Sequence, residues 1–382
     1  MIPSPAPSSS FLPRLRALSS TPLWRAVEIA VFGVIPVVTV VVLFWAAAAD
    51  DAVAFDFRPF HRAAEAILAG ESPYPGPDDA LTADAGPYVY PPLPALLAVP
   101  LSWLPFDAAG LLVMAGLVGA VLGTLWVLGV RNWRCYGLAF LWPAVLSAIQ
   151  TGNVTLWLGL AAALVWRFRD RAAVGGALVG VTFAVKLFLW PLAVWFAATR
   201  RVAGALVAVV VGAALLGASW AVIGFAGMTG YPDLLERLED TVGADSYTAY
   251  IVGLDLGLPS PVARAVWLAL GLGLLAAVVV VGRRGDERTA FVLAIVAALA
   301  LTPIVWLHYF ALLLVVVALA QPRLGLAWFV PLALVITPGS GQPTPFETSA
   351  TLLVAAVTVA LAVRSLLGSR DARPRPARLE PA

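Results

Sequence analysis

The sequence predicts an all-α polytopic membrane protein, and three observations carry that class. Of its 382 residues, 61% are hydrophobic and only 12% charged, with a mean hydropathy of +0.91. A soluble domain has roughly a quarter of its residues charged. The run 27–49 is apolar except for Glu28. At ~1.5 Å per residue it is long enough to cross a hydrocarbon core of about 30 Å. Finally, arginines recur in short clusters between apolar runs, which sets the number of crossings.

Residues 1–22 are rich in Pro and Ser and carry Arg14 and Arg16. They read as a disordered basic tail, and the positive flank places that side of the first span in the cytoplasm. Ala46–Ala49 looks like a cleavage site, but the apolar run exceeds that of a secretory signal, so an uncleaved first helix is expected. The loop 50–92 then faces outward. It places Asp50, Asp51 and Asp56 at the lipid boundary, where carboxylates are functional candidates by default.

Within that loop Phe57, Phe60, Ala64, Ile67 and Leu68 recur at helical spacing, with Arg58, Arg62 and Glu65 between them. The pattern is an amphipathic interfacial helix, with Pro59 in its first turn and Gly70 at its end. Asp56 reads either as a general base at the membrane surface or as a carboxylate favouring the helix N-terminus. Asp50 and Asp51 read as boundary charges, and His61 as an interfacial side chain. Tyr74 and Tyr90 lie in rigid Pro-rich segments, as an aromatic belt or a wall for a sugar or lipid.

The arginine clusters are Arg131 and Arg134; Arg167, Arg169 and Arg171; Arg200 and Arg201; Arg283, Arg284 and Arg288; Arg323; and Arg364. If all are cytoplasmic, each interval is an out-and-back hairpin, giving about twelve crossings. They are 27–49, 108–130, 135–149, 154–166, 172–185, 187–199, 202–224, 262–281, 289–305, 309–320, 324–337 and 348–364. Those too short to span are read as helices whose outer ends line a cavity. Residues 93–105 are expected at the interface or as the broken start of the second crossing. The whole of 23–366 reads as one transmembrane domain, with 225–261 a second large outer loop and 367–382 a disordered basic cytoplasmic tail. No internal repeat is visible.

Polar residues then gather on one side. Lys186, the only lysine, sits inside an apolar hairpin; it either snorkels or faces a phosphate. Gln150 and Asn153 flank a Gly turn and suit sugar hydroxyls or an ordinary polar turn. Trp306 and His308 sit between two apolar runs; His308 reads as a structural histidine or as a group positioning a phosphate or hydroxyl. In the second loop Pro232–Val242 reads as an amphipathic helix over the membrane, a lid. No nucleotide-binding loop, zinc pattern or nucleophile elbow is present. A soluble nucleotide-sugar donor is therefore unsupported, and chemistry outside the cytoplasm would suit a donor already attached to a membrane lipid. The lone Cys135 allows no intrachain disulfide and no metal cluster. A net charge of +2 gives no reason to expect nucleic acid. A flippase of lipid-linked sugars would need polar groups at mid-membrane depth and often repeated halves. A scaffold protein would tolerate loss of Asp56 or Lys186.

Several of these residues, taken together, resemble a known family. They are Asp56-Phe57, Ala63-Ala64, Gly70-x-Ser-Pro-Tyr74, Tyr90-Pro-Pro-Leu93, Pro100-Leu101 with Leu104-Pro105, Gly152-Asn153, Gly175-Gly176 to Gly180, Lys186, Arg200-Arg201 and Trp306-x-His308-Tyr309. The run is similar to glycosyltransferase family 87, the polyprenol-phosphate-mannose-dependent mannosyltransferases of the GT-C fold. The resemblance implies a GT-C-type bundle and inverting transfer of mannose from polyprenyl phosphate to a lipid-linked or cell-envelope glycan on the outer face. Asp56 then stands in the place of the family's base. Lys186, His308, Arg58 and Arg62 become candidates for the donor phosphate. Asn153, Gln150, Trp306, Tyr74 and Tyr90 become candidates for substrate contacts. Asn153 departs from the commoner glutamine after the loop glycine. No metal or other cofactor is expected, because a sugar phosphate already carries a good leaving group. A related enzyme using another lipid-linked sugar, such as arabinose, is the alternative within the fold.

Overall fold

Proline, glycine and short polar breaks cut the apolar sequence into helices. The computed structural model describes residues 21–49, 53–76, 79, 87–337 and 342–371. Asp50, Asp51, most of the N-terminal tail and 372–382 lie outside the described residues. Among the described residues all regular structure is helical.

The first helix, α1 (Pro22–Ala49), contains one wider turn at Ala30–Val34. It begins five residues before the expected apolar run because Thr21 caps it, accepting the Trp24 N–H at 3.3 Å. The first loop holds a single 3-10 turn, Phe55–Phe57, and α2 (Arg58–Leu68). Residues 93–105 form their own helix, α3 (Pro92–Ser102), which turns at Trp103–Pro105 into α4 (Phe106–Val127). The interfacial helix α2 does not simply lie on lipid. It buries Phe60, His61, Ala63 and Ala64. Its His61 donates to the Leu104 carbonyl at 3.2 Å, so this histidine pins the loop helix to the α3–α4 corner rather than facing the interface.

Two helices replace the crossing expected over 135–149: α5 (Trp133–Ala139) and α6 (Pro143–Thr151). Pro143 has no N–H to give and starts a new helix. Gly152 then ends α6 with φ +72°, its N–H bonded to Ile149 and the next N–H to Ala148. That pairing is the Schellman stop. α7 (Thr155–Arg167) leaves at 115° to α6. Next come α8 (Ala172–Val185), α9 (Pro191–Ala198) and α10 (Val202–Val222). The 225–261 loop holds two helices rather than one: α11 (Tyr231–Val242) and α12 (Ala249–Asp255). α13 (Ser260–Arg283) and α14 (Glu287–Leu301) follow. Leu307–Leu312 winds as a 3-10 turn into α15 (Leu313–Ala320), which is buried throughout. Two 3-10 turns fill 326–336, and α16 (Pro345–Asp371) runs five residues past the point where a tail is expected.

Among the described residues five helices are long and apolar enough to cross a membrane: α1, α4, α10, α13 and α16, or six spans if bent α6–α7 counts as one. The shorter helices have a physical reason. α7 and α8, of 13 and 14 residues, extend only about 20 Å each. Both run from an arginine-rich end to an irregular break, at Asn153 and Lys186. The arginine ends meet in one network. Arg201 bonds Asp170 at 2.7 Å and Glu287 at 2.9 Å, and Arg169 reaches Glu287 at 3.3 Å. The Arg201 guanidinium beside Asp170 holds that carboxyl below its usual range. These three cation clusters therefore share one face, as their spacing predicts, and the breaks collect at the other ends of α7 and α8.

Candidate functional site

Asp56 is presented by a turn with little freedom. Ala54 adopts a left-handed conformation, φ 45° and ψ 52°, and the Phe57 N–H returns to the Ala54 carbonyl at 2.8 Å. Val53, Ala54 and Phe57 are all buried. The turn is held between Gly110 of α4 and Gly152 at the α6–α7 break. A methyl group on Gly152 would stand 2.6 Å from the Ala54 Cβ, and one on Gly110 would meet Val53 as closely. Gly152→Ala therefore combines a left-handed backbone with a collision beneath Asp56. It is expected to cost about 1–3 kcal/mol of stability, read as a lowered thermal midpoint in detergent.

The Asp56 side chain keeps 19% of its exposure, while Asn153 behind it keeps 1%. Asn153 Nδ2 donates to Asp56 Oδ2 at 2.7 Å. The His308 Nε2 stands 3.7 Å from the same oxygen, in ion-pair range but too far for a hydrogen bond. Three segments distant in sequence thus converge: the first loop, the α6–α7 break and the Trp306–Tyr309 turn.

Lys186 stands beside this group at the end of α8. Its Nζ lies 3.7 Å from the centre of the Tyr309 ring, with Tyr90 at 5.5 Å and Phe188 at 5.7 Å. The atom is buried and has no hydrogen-bond partner among the described residues. Ring faces attract a cation but do not replace an anion. Lys186, Tyr90, Trp306 and Tyr309 line a cavity of about 480 Å³ whose far wall is α11. Tyr90 is pushed up in pKa by burial, so its phenol stays protonated.

The irregular segment before His308 is held from the second loop. Ser246 accepts the Val305 N–H at 2.7 Å, and the Tyr247 N–H donates to the Val305 carbonyl at 2.8 Å. α11 is tied to the first loop. Tyr231 donates to the Val89 carbonyl at 3.0 Å, and Arg237 to the carbonyls of Gly76 and Asp79 at 3.2 and 2.5 Å. The amphipathic helix expected over the membrane is therefore clamped onto the first loop and also walls the cavity.

Of the residues singled out in the sequence, Asp56, Asn153, His308, Lys186, Tyr90 and Trp306 come together. Four do not. Arg58 lies next to Asp56 in sequence but places its guanidinium 4.8 Å over the Phe106 ring. Arg62 and Tyr74 line a separate hollow of about 250 Å³ beside Tyr88. Tyr74 works there as a strut, donating to the Tyr90 carbonyl at 2.9 Å and stacking on Trp220. Its own pKa is raised by burial. Gln150 is exposed at the end of α6. Sequence reasoning missed Thr155, whose N–H and hydroxyl both bond the Asn153 side chain. The signal was present as an Asn two residues before a Thr at a helix start, the pattern of a side-chain turn. Ser246 left no comparable local signal.

Against known proteins, the family model described as glycosyltransferase family 87 matches residues 88–308. That stretch takes in Asn153, Lys186 and His308 and begins past Asp56. The chain is 29% identical over 280 residues to a polyprenol-phosphate-mannose-dependent alpha-(1-2)-phosphatidylinositol pentamannoside mannosyltransferase of Mycobacterium tuberculosis, covering 68% of this chain and 60% of that protein. It is 25% identical over 246 residues to a protein of the same name in Mycolicibacterium smegmatis, covering 60% and 59%. The chain thus spans about three-fifths of the length of these curated relatives. No solved structure matches it. The family match covers more than half of the chain and contains five of the six residues that come together at the site, so the chain belongs to glycosyltransferase family 87.

Proposed function

We propose that this protein is a membrane mannosyltransferase that moves mannose from polyprenyl-phosphate-mannose to a lipid-linked or cell-envelope glycan, with inversion, on the outer face. The observation that carries the reading is the gathering of Asp56 with Asn153 and His308 next to Tyr309, over whose ring stands a buried, unbonded Lys186 that lines a largely apolar cavity. Transfer from a sugar-phosphate lipid needs a group to take a proton from the acceptor and a cation to meet the departing phosphate. In this reading Asp56 is the base and Lys186, with His308 nearby, meets the phosphate. Tyr90 and Trp306 form the wall for sugar or lipid. The reaction is written without metal or cofactor. The names of the two relatives support the choice of mannose and of a phosphatidylinositol-based acceptor.

The short helices support the orientation. With the arginine network on the cytoplasmic side, the breaks at Asn153 and Lys186 open outward. The test uses membranes containing the protein and polyprenyl-phosphate-mannose labelled in the sugar. Label is expected to pass to endogenous lipid, in preference to label from polyprenyl-phosphate-arabinose. A cysteine at Gln150 should react with an impermeant reagent added outside, and one at Arg169 should not. Absence of transfer from the intact protein, or outside labelling at position 169, would remove the reading.

A further inference from the structure

The orientation of the Asn153 amide is decided by chemistry beyond it. Its side chain ends in an oxygen that accepts and a nitrogen that donates. The backbone N–H of Thr155 can only donate, and it stands 3.0 Å from Asn153 Oδ1. The Thr155 hydroxyl reaches the same oxygen at 2.6 Å. Both lone pairs of that oxygen are therefore used, and the NH₂ must face Asp56, to which it donates at 2.7 Å. Asn153 and Thr155 are each 1% exposed, so water does not compete for either group. Turning the amide by half a rotation would set its oxygen against a carboxylate and its NH₂ against an N–H.

This arrangement distinguishes the two oxygens of Asp56. Asn153 and His308 both approach Oδ2. Oδ1 takes no hydrogen bond among the described residues. The helix start does not explain the Thr155 hydroxyl. An Asn side chain that caps a helix needs to accept only the backbone N–H. The second bond, from the hydroxyl, acts on the amide alone.

We propose that Thr155 is a positioning residue for the transfer, and that by locking the Asn153 amide it ties down Oδ2 of Asp56 and leaves Oδ1 to take the acceptor's proton. The proposal rests on the reading of Asp56 as the base. In the step, the proton of the acceptor hydroxyl passes to Oδ1 as that hydroxyl oxygen bonds to the anomeric carbon. The bond from that carbon to the phosphate oxygen breaks, and its electron pair leaves with the polyprenyl phosphate. The geometry of the base decides the rate of such a step, since misplacement by about 1 Å can cost about 10²-fold.

The experiment compares Thr155→Val and Thr155→Ser with wild type and Asp56→Asn, in mannose transfer at varied donor concentration. Valine keeps the branched shape and the backbone N–H bond and removes only the hydroxyl. Thr155→Val is expected to lower kcat about tenfold, the loss of one hydrogen bond to the amide, with donor KM unchanged and the thermal midpoint lowered by no more than one buried hydrogen bond accounts for. Thr155→Ser should recover kcat to within about twofold of wild type. In an Asn153→Ala background, Thr155→Val should cause no further loss, because the hydroxyl would have nothing left to orient. A Thr155→Val protein with wild-type kcat, beside an inactive Asp56→Asn, would overturn the positioning role while leaving the base in place. A loss that serine does not recover, or one that adds fully to Asn153→Ala, would overturn it as well. Activity in Asp56→Asn would instead overturn the base reading, and this proposal with it.

Discussion

Asp56→Asn is expected to lower mannose transfer by about 10³-fold, within the range for removal of a general base. The change is nearly isosteric, and the amide oxygen can still accept from Asn153 Nδ2 as Oδ2 does now at 2.7 Å. The turn should survive, because it is held by the Ala54–Phe57 bond and by the two glycines against which it packs. Donor binding should change little, since Asp56 does not line the main cavity. The loss should therefore appear in kcat, measured against donor concentration at matched protein levels. Full activity in the variant would exclude Asp56 as the base.

Lys186→Ala is expected to lower transfer by about 10²–10³-fold, the scale for removing a fixed charge from a developing anion. Lys186→Arg should retain more activity, because a phosphate needs the charge first and its shape second. The arginine must fit among Tyr90, Phe188 and Tyr309, whose ring centres stand 3.7–5.7 Å from the present ammonium, so recovery should be incomplete. The direction of the stability change separates binding from folding. A buried cation with no hydrogen-bond partner costs free energy in the empty protein. Lys186→Ala should accordingly leave the thermal midpoint equal or higher while activity falls. Equal losses in Ala and Arg, with both proteins intact, would show that Lys186 does not act through its charge.

The clamp between α11 and the first loop gives the cavity its outer wall. Arg237 bonds two carbonyls of the first loop, and Glu239 two residues on pairs with Arg264 at 3.0 Å. An exposed ion pair of this kind contributes about 0–1 kcal/mol. The helix is held instead by the Tyr231 and Arg237 bonds to the first loop and by the Tyr74, Tyr231 and Trp220 rings, whose centres lie 5.2–5.6 Å apart.

The sequence alone determined the class, the shared face of three arginine clusters, and the residue types of the site. Hydropathy and charge placement are one-dimensional signals, and a hydrocarbon layer enforces both. Asn153, Lys186 and His308 were legible as polar residues between apolar runs, and Asp56 as a carboxylate at the lipid boundary. The number of spans was not legible. A span of about 17 residues and a shorter helix ending at a cavity look alike in composition, so α5 and α6 read as one crossing and α9 counts as another. Tertiary structure alone decided which candidates meet. Arg58 and Asp56 are two residues apart, yet the local helix turns the guanidinium onto Phe106. Asn153 and Asp56 are 97 residues apart, yet Gly152 lets the backbone approach and bond them. The orientation of the Asn153 amide by Thr155, and the attachment of Ser246 to the His308 segment, depend on distances between atoms rather than on residue type. Those distances are set by how the helices pack.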